Sequence, residues 1–149
     1  MKKLVIMAGI VALAMVNTSS KNAEVQDVFN APINWTKINF KTYSFEEAKA
    51  EAKASGKLIF VDAYAQWCGP CLRMQATTFK DPDVGEFFNA NFVNWKVDTE
   101  RHKDGPAIMQ KYGVNAYPTL LFIDANGTLI KKSIGQKTRD QLLALANSI

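Results

Sequence analysis

Leu58-Ile59-Phe60-Val61-Asp62-Ala63-Tyr64-Ala65-Gln66-Trp67-Cys68-Gly69-Pro70-Cys71 joins an apolar run to both cysteines of the 149-residue chain. The continuous β-type run over residues 58–63 predicts a central strand covered on both faces. The cysteines lead into a segment that reads as a helix. Two thiols at this spacing can close a small disulfide ring or open to a dithiol. Cys68 is expected at the exposed start of that helix, where partial positive charge and free N–H groups favour thiolate. A redox site with Cys68 as nucleophile is the first expectation.

Before this stretch, Ser44-Phe45-Glu46-Glu47 is a capping box that opens a helix running to Ser55 and stopping at Gly56. Residues 33–40 alternate apolar with polar in part and predict a first strand. After the cysteines, Leu72, Ala76 and Phe79 fall on one helical face. Asp81-Pro82-Asp83 interrupts it, and Val84, Phe87 and Phe88 restart an apolar stripe. Residues 92–97 read as the next strand, and Asp104-Gly105-Pro106 opens a helix ending near Tyr112-Gly113. Residues 119–123 and 128–132 flank Asp124-Ala125-Asn126-Gly127, a hairpin signal. A second capping box at residues 138–141 starts a helix with Leu142, Leu145, Ala146 and Ile149 on one stripe. The order β-α-β-α-β-α-β-β-α is that of an α/β fold. Alternating units predict parallel strands, and the closing hairpin adds an antiparallel edge.

The composition, 48% hydrophobic and 21% charged, is that of a soluble globular chain. Met1-Lys2-Lys3, the apolar residues 4–16 and then Asn17-Thr18-Ser19-Ser20 form the pattern of a secretory signal peptide over residues 1–20. The run is shorter than the roughly 20 residues a membrane span needs. Cleavage after Ala14 or near Ser19 or Ser20 fits, and an uncleaved anchor is the alternative. Residues 21–32 read as a polar N-terminal arm, and residues 33–149 as the domain. Beyond residue 20 there are 16 basic and 14 acidic residues, a net charge of +2. That is too small and too scattered for nucleic acid. A periplasmic or secreted location is expected. A stray thiol is a liability there, so two cysteines in one Cys-x-x-Cys suggest chemistry.

The segment from Phe60 to Cys71 resembles the active-site segment of thioredoxins. Tyr117-Pro118-Thr119 resembles that family's cis-proline loop, and Gly135 the glycine near its substrate groove. The likeness covers about residues 44–149. It implies the thioredoxin fold, a central mixed β-sheet flanked by helices. It also implies a monomeric thiol-disulfide oxidoreductase acting on protein or peptide disulfides, with no cofactor beyond the Cys68–Cys71 pair. In that chemistry Cys68 attacks a target disulfide and Cys71 resolves the mixed disulfide. The established thioredoxin value for the nucleophile's pKa is about 7, against about 8.5 for free cysteine. Asp62 becomes the buried carboxylate that takes the Cys71 proton, its pKa raised by desolvation. Trp67 covers the first thiol and offers a flat apolar surface. A cis Pro118 aims the Tyr117 backbone at an incoming peptide for strand-to-strand pairing.

Gly69-Pro70 resembles reducing thioredoxins more than strongly oxidising relatives. Thr78-Phe79-Lys80-Asp81-Pro82-Asp83-Val84 is similar to a subgroup of exported thioredoxin-like proteins that includes the C-terminal periplasmic domain of DsbD. That implies a membrane electron donor of the DsbD type. An oxidase or isomerase, or a binding module with a structural disulfide, stays open as an alternative. Three positions depart from the family. Ala63-Tyr64 stands for an aromatic pair, and Leu72 for a lysine after the second cysteine. Asn94 stands for a strand lysine, with Lys96 on the same side by the period of two. A zinc site is not expected, since only Cys68, Cys71 and His102 are soft ligands and four are needed. Haem attachment needs His where Leu72 stands.

Overall fold

The sheet is assembled on β1 (Leu58–Tyr64), which pairs in parallel with β2 (Phe92–Asp98) and antiparallel with β3 (Thr119–Ile123). β4 (Leu129–Ile134) runs antiparallel to β3, giving the order β2-β1-β3-β4. The computed structural model describes residues 37–149. The expected signal peptide, the N-terminal arm and residues 33–36 of the expected first strand lie outside the described residues.

Successive β1 side chains point to opposite faces, and this alternation divides the core in two. Ile59, Val61 and Ala63 face α1 (Phe45–Ser55) and α4 (Gly105–Tyr112). Phe60 faces the other side, with Met74 of α2 (Gly69–Ala76), Val84 and Phe88 of α3 (Pro82–Asn91), and Leu142 of α5 (Arg139–Ala146). On that side the rings of Phe60, Phe88 and Phe122 meet at centroid distances of 4.6 Å and 5.2 Å from Phe60. On the first side Phe45 stacks on Trp95 at 5.2 Å, and the Trp95 indole N–H donates to the Tyr43 carbonyl. Each such buried ring stabilises the fold by roughly 1.5–3 kcal/mol.

Both capping boxes form. The Ser44 hydroxyl accepts from the Glu47 N–H and the Glu47 carboxylate from the Ser44 N–H, and Thr138 and Gln141 do the same for α5. α1 ends at Gly56 as expected. Asp124 shapes the hairpin turn by accepting from the N–H groups of Asn126 and Thr128.

Four expectations are corrected. Residues 37–40 form no strand, and Lys41, just beyond them, makes one parallel bridge to Trp95 on the outer edge of β2. Phe40 instead turns its ring onto Phe79 and Phe60. β3 is antiparallel to β1, because Thr119 pairs with Ala63 at the end where β1 finishes. An eight-residue α4 spans about 12 Å and does not carry the chain back along the sheet. The face Leu72-Ala76-Phe79 does not exist. α2 stops at Ala76 and a 3₁₀ turn (Thr78–Lys80) resets the phase, so Leu72 is exposed while Met74 and Phe79 are buried. Ile149 lies beyond the end of α5 and is exposed.

Candidate active site

Cys68 and Cys71 are joined by a disulfide. Cys68 is the N-cap of α2, and its sulfur accepts from the Cys71 N–H at 3.2 Å. Pro70 lies in the first turn, where a missing N–H leaves no helix bond unmade. Free N–H groups at this end favour an anionic sulfur on Cys68. The expected exposure of Cys68 is corrected: it is 3% exposed and Cys71 1% exposed in the disulfide form. Ala65 and the partly buried rings of Tyr64 and Tyr117 pack around the pair.

Asp62, on the last turn of the pleat before the site, is 1% exposed. By the alternation of β1 it faces the side on which α2 packs. Neither carboxylate oxygen has a hydrogen-bond partner among the described residues. Burial pushes the Asp62 carboxyl up to about 7, against the opposing pull of the Lys96 cation. Lys96 is the register partner of Asp62 on β2, with Nζ 3.9 Å from Oδ2. Burial in turn pulls the Lys96 ammonium down, and its charge lies over the Tyr64 ring, 4.4 Å from the centroid. A carboxyl titrating near neutrality can take up and release a proton at neutral pH.

Trp67 is 70% exposed, as a flat apolar surface should be. Its indole N–H donates to Glu100 Oε1 at 2.9 Å, and its ring meets Tyr117 edge-on at 5.8 Å. The Tyr117–Pro118 peptide is cis. Thr119 is buried, its hydroxyl donating to the Ala116 carbonyl. Gly135 has φ +88 and donates its N–H to the Pro118 carbonyl at 2.8 Å, so it adjoins Pro118. The left-handed φ explains glycine at this position.

The loop after β2 carries residues that the sequence did not single out. The Thr99 N–H donates to the Tyr64 carbonyl, and the Thr99 hydroxyl shares a hydrogen bond with the Tyr117 hydroxyl. Gly105 lets this loop approach, since a Cβ there would stand 2.3 Å from the Thr99 carbonyl oxygen. No period or motif marks Thr99 or Glu100. The period of two did place Lys96 on the side of its strand where it meets Asp62.

The model of the thioredoxin-like domain family matches residues 45–149. The thiol:disulfide interchange protein DsbD of Tatumella citrea is 38% identical over 96 residues, covering 62% of this chain and 16% of that protein. The chain thus spans about a sixth of the length of the DsbD proteins it matches. Thioredoxin H4 of Arabidopsis thaliana is 37% identical over 90 residues, covering 60% of this chain and 70% of that one. The solution structure of a candidate disulphide-isomerase from Bacteroides thetaiotaomicron superposes with TM-score 0.68 at 42% identity, covering 75% and 92% of the two chains.

Proposed function

The chain belongs to the thioredoxin-like domain family, and we propose that it is an exported thiol-disulfide oxidoreductase that reduces disulfides of protein substrates. The observation that carries this reading is the Cys68–Cys71 disulfide at the start of α2, on the side of the sheet toward which the buried Asp62 points.

In the reduced protein the Cys68 thiolate attacks one sulfur of a substrate disulfide, and the substrate's other sulfur leaves as thiolate. Asp62 takes the Cys71 proton. The Cys71 thiolate then attacks Cys68 Sγ and expels the second substrate thiolate, giving the disulfide seen here. Two electrons pass from the Cys68–Cys71 pair to the substrate. A dithiol on a membrane donor of the DsbD type returns them. Tyr117, Pro118 and Gly135 border the substrate's path and Trp67 offers it an apolar face, while Thr119, wholly buried, supports this loop from beneath. The Gly69-Pro70 pair and the similarity to DsbD support the reducing direction.

Insulin reduction with dithiothreitol as electron source tests the exchange, and no turnover by protein whose Cys68 is free and accessible overturns it. Equilibration of the Cys68–Cys71 pair against glutathione tests direction. A reductant should lie nearer the thioredoxin value of about −270 mV than the DsbA value of about −120 mV. A potential above about −180 mV favours the second reading, an isomerase. That reading is supported by the 42% identity to the Bacteroides candidate disulphide-isomerase.

A further inference from the structure

We infer that the Gly135 side of the active-site opening is a docking surface for acidic polypeptide segments, with Arg73 and Lys137 as specificity-determining residues. The inference rests on the oxidoreductase reading above and adds the chemical class of the substrate.

The Arg73 guanidinium is held in place from two directions. Its Nε donates to Gln136 Oε1 at 3.1 Å, tying α2 to the loop after β4. Its Nη1 stands 3.7 Å from the point a Gly69 Cβ would occupy, so the charge lies against the residue that follows Cys68. Lys137 brings a second cation to the same loop, its Nζ donating at 2.9 Å to the carbonyls of Ile134 and Gly135. The loop itself is fixed to Pro118 through the Gly135 N–H.

Neither cation has a carboxylate partner among the described residues. Asp140, close to Lys137 in sequence, is already engaged, as are Asp81 and Asp83. Arg139 draws Asp81 at 3.4 Å, Asp140 at 2.6 Å, and Asp83. Lys137 and Arg73 are left with only neutral oxygens, which orient a cation without neutralising it. On the Trp67 side Glu100 accepts from the indole. The opening therefore carries a fixed, uncompensated positive charge on its Gly135 side. A polypeptide lying between Cys68 and Pro118 with Asp or Glu beside its cysteine completes these ion pairs, and one with Lys or Arg there meets like charge.

The test uses the pre-reduced protein and three disulfide-linked peptides, identical except that the residues flanking cysteine are Asp-Glu, Ser-Asn or Lys-Arg. The acidic peptide should be reduced about three- to tenfold faster than the basic one, the range for one or two exposed charge contacts. That ratio should shrink between about 20 mM and 500 mM salt. In the double variant R73Q/K137Q the ratio should fall toward one, and R73E should invert it, readouts that a purely structural role would not move. Equal rates for the acidic and basic peptides with the unsubstituted protein overturn the inference and leave the oxidoreductase reading intact. Failure to reduce any of the three overturns both. A preference that survives R73Q/K137Q unchanged overturns the assignment to these two residues.

Discussion

Lys96 Nζ stands 3.9 Å from Asp62 Oδ2 across the parallel pairing of β1 and β2, too far for a hydrogen bond and close enough for Coulomb attraction. The two shifts show which effect wins. If attraction dominated, the carboxyl would titrate low and the ammonium high. Burial instead raises Asp62 to about 7 and lowers Lys96. The site keeps an acid whose proton is exchangeable at neutral pH, at a cost to the fold.

That cost has a defined pH window. Between the ordinary value of 3.8 and about 7, folded Asp62 holds a proton that the unfolded chain has released. Stability therefore falls as pH rises through this window, and the full penalty is present above about pH 7. Asp62→Asn should raise stability at pH 8 by about 2–4 kcal/mol, with the gain fading toward pH 4. Thermal melts at both pH values check this. The same variant should slow the Cys71 resolving step about 100-fold.

Lys96→Met removes the one charge that opposes burial of the carboxylate. The Asp62 pKa should move further up, and the pH profile of mixed-disulfide resolution should move to higher pH. Stopped-flow rates across pH 5–9 report it, and an unshifted profile would show that Lys96 does not act on Asp62.

Cys71→Ser should trap mixed disulfides on Cys68, visible as substrate adducts on non-reducing gels. Cys68→Ser should trap none, since Cys71 lies within α2 and lacks the N-cap position that favours thiolate on Cys68. Adducts through Cys71 alone would reverse the assignment of nucleophile.

Two glycines of the site should respond differently to alanine. At Gly135 none of the described residues lies within 4 Å of an added Cβ, so the cost is that of a left-handed backbone, about 1–2 kcal/mol. At Gly105 the added atom meets the Thr99 carbonyl oxygen at 2.3 Å, and the backbone must shift, costing about 3 kcal/mol. Gly105→Ala should also disturb the Thr99–Tyr117 contact and lower activity. Denaturant midpoints and turnover separate the two effects.

The hydrophobic runs announced β1 and β2 because both are buried on their two faces, and Ser44 and Thr138 announced their helices because capping is local. Direction and phase were not legible. Nothing in residues 105–118 says that the chain re-enters the sheet from the end where β1 finishes. Phe79 kept its place in the core through a 3₁₀ turn that breaks the helical count begun at Leu72. At the site, Asp62 and the two cysteines lie close in sequence and carry their chemistry in their side-chain types. Thr99 and Glu100 act through contacts that span 18 to 35 residues, which no local pattern encodes, and Gly105 acts through the close approach of the Thr99 carbonyl.

The alternation along β1 ties chemistry to assembly more tightly than either needs alone. Phe60 and Asp62 are two residues apart, so one pleat phase sets both the aromatic packing and the direction of the carboxylate. A chain paired one residue out of step would carry Phe60 into the space of Ile59 and turn the carboxylate away from the cysteine helix. Such a misfolded form would be redox-silent as well as unstable. Recovery of exchange activity after refolding therefore reads out correct strand pairing at the centre of the sheet.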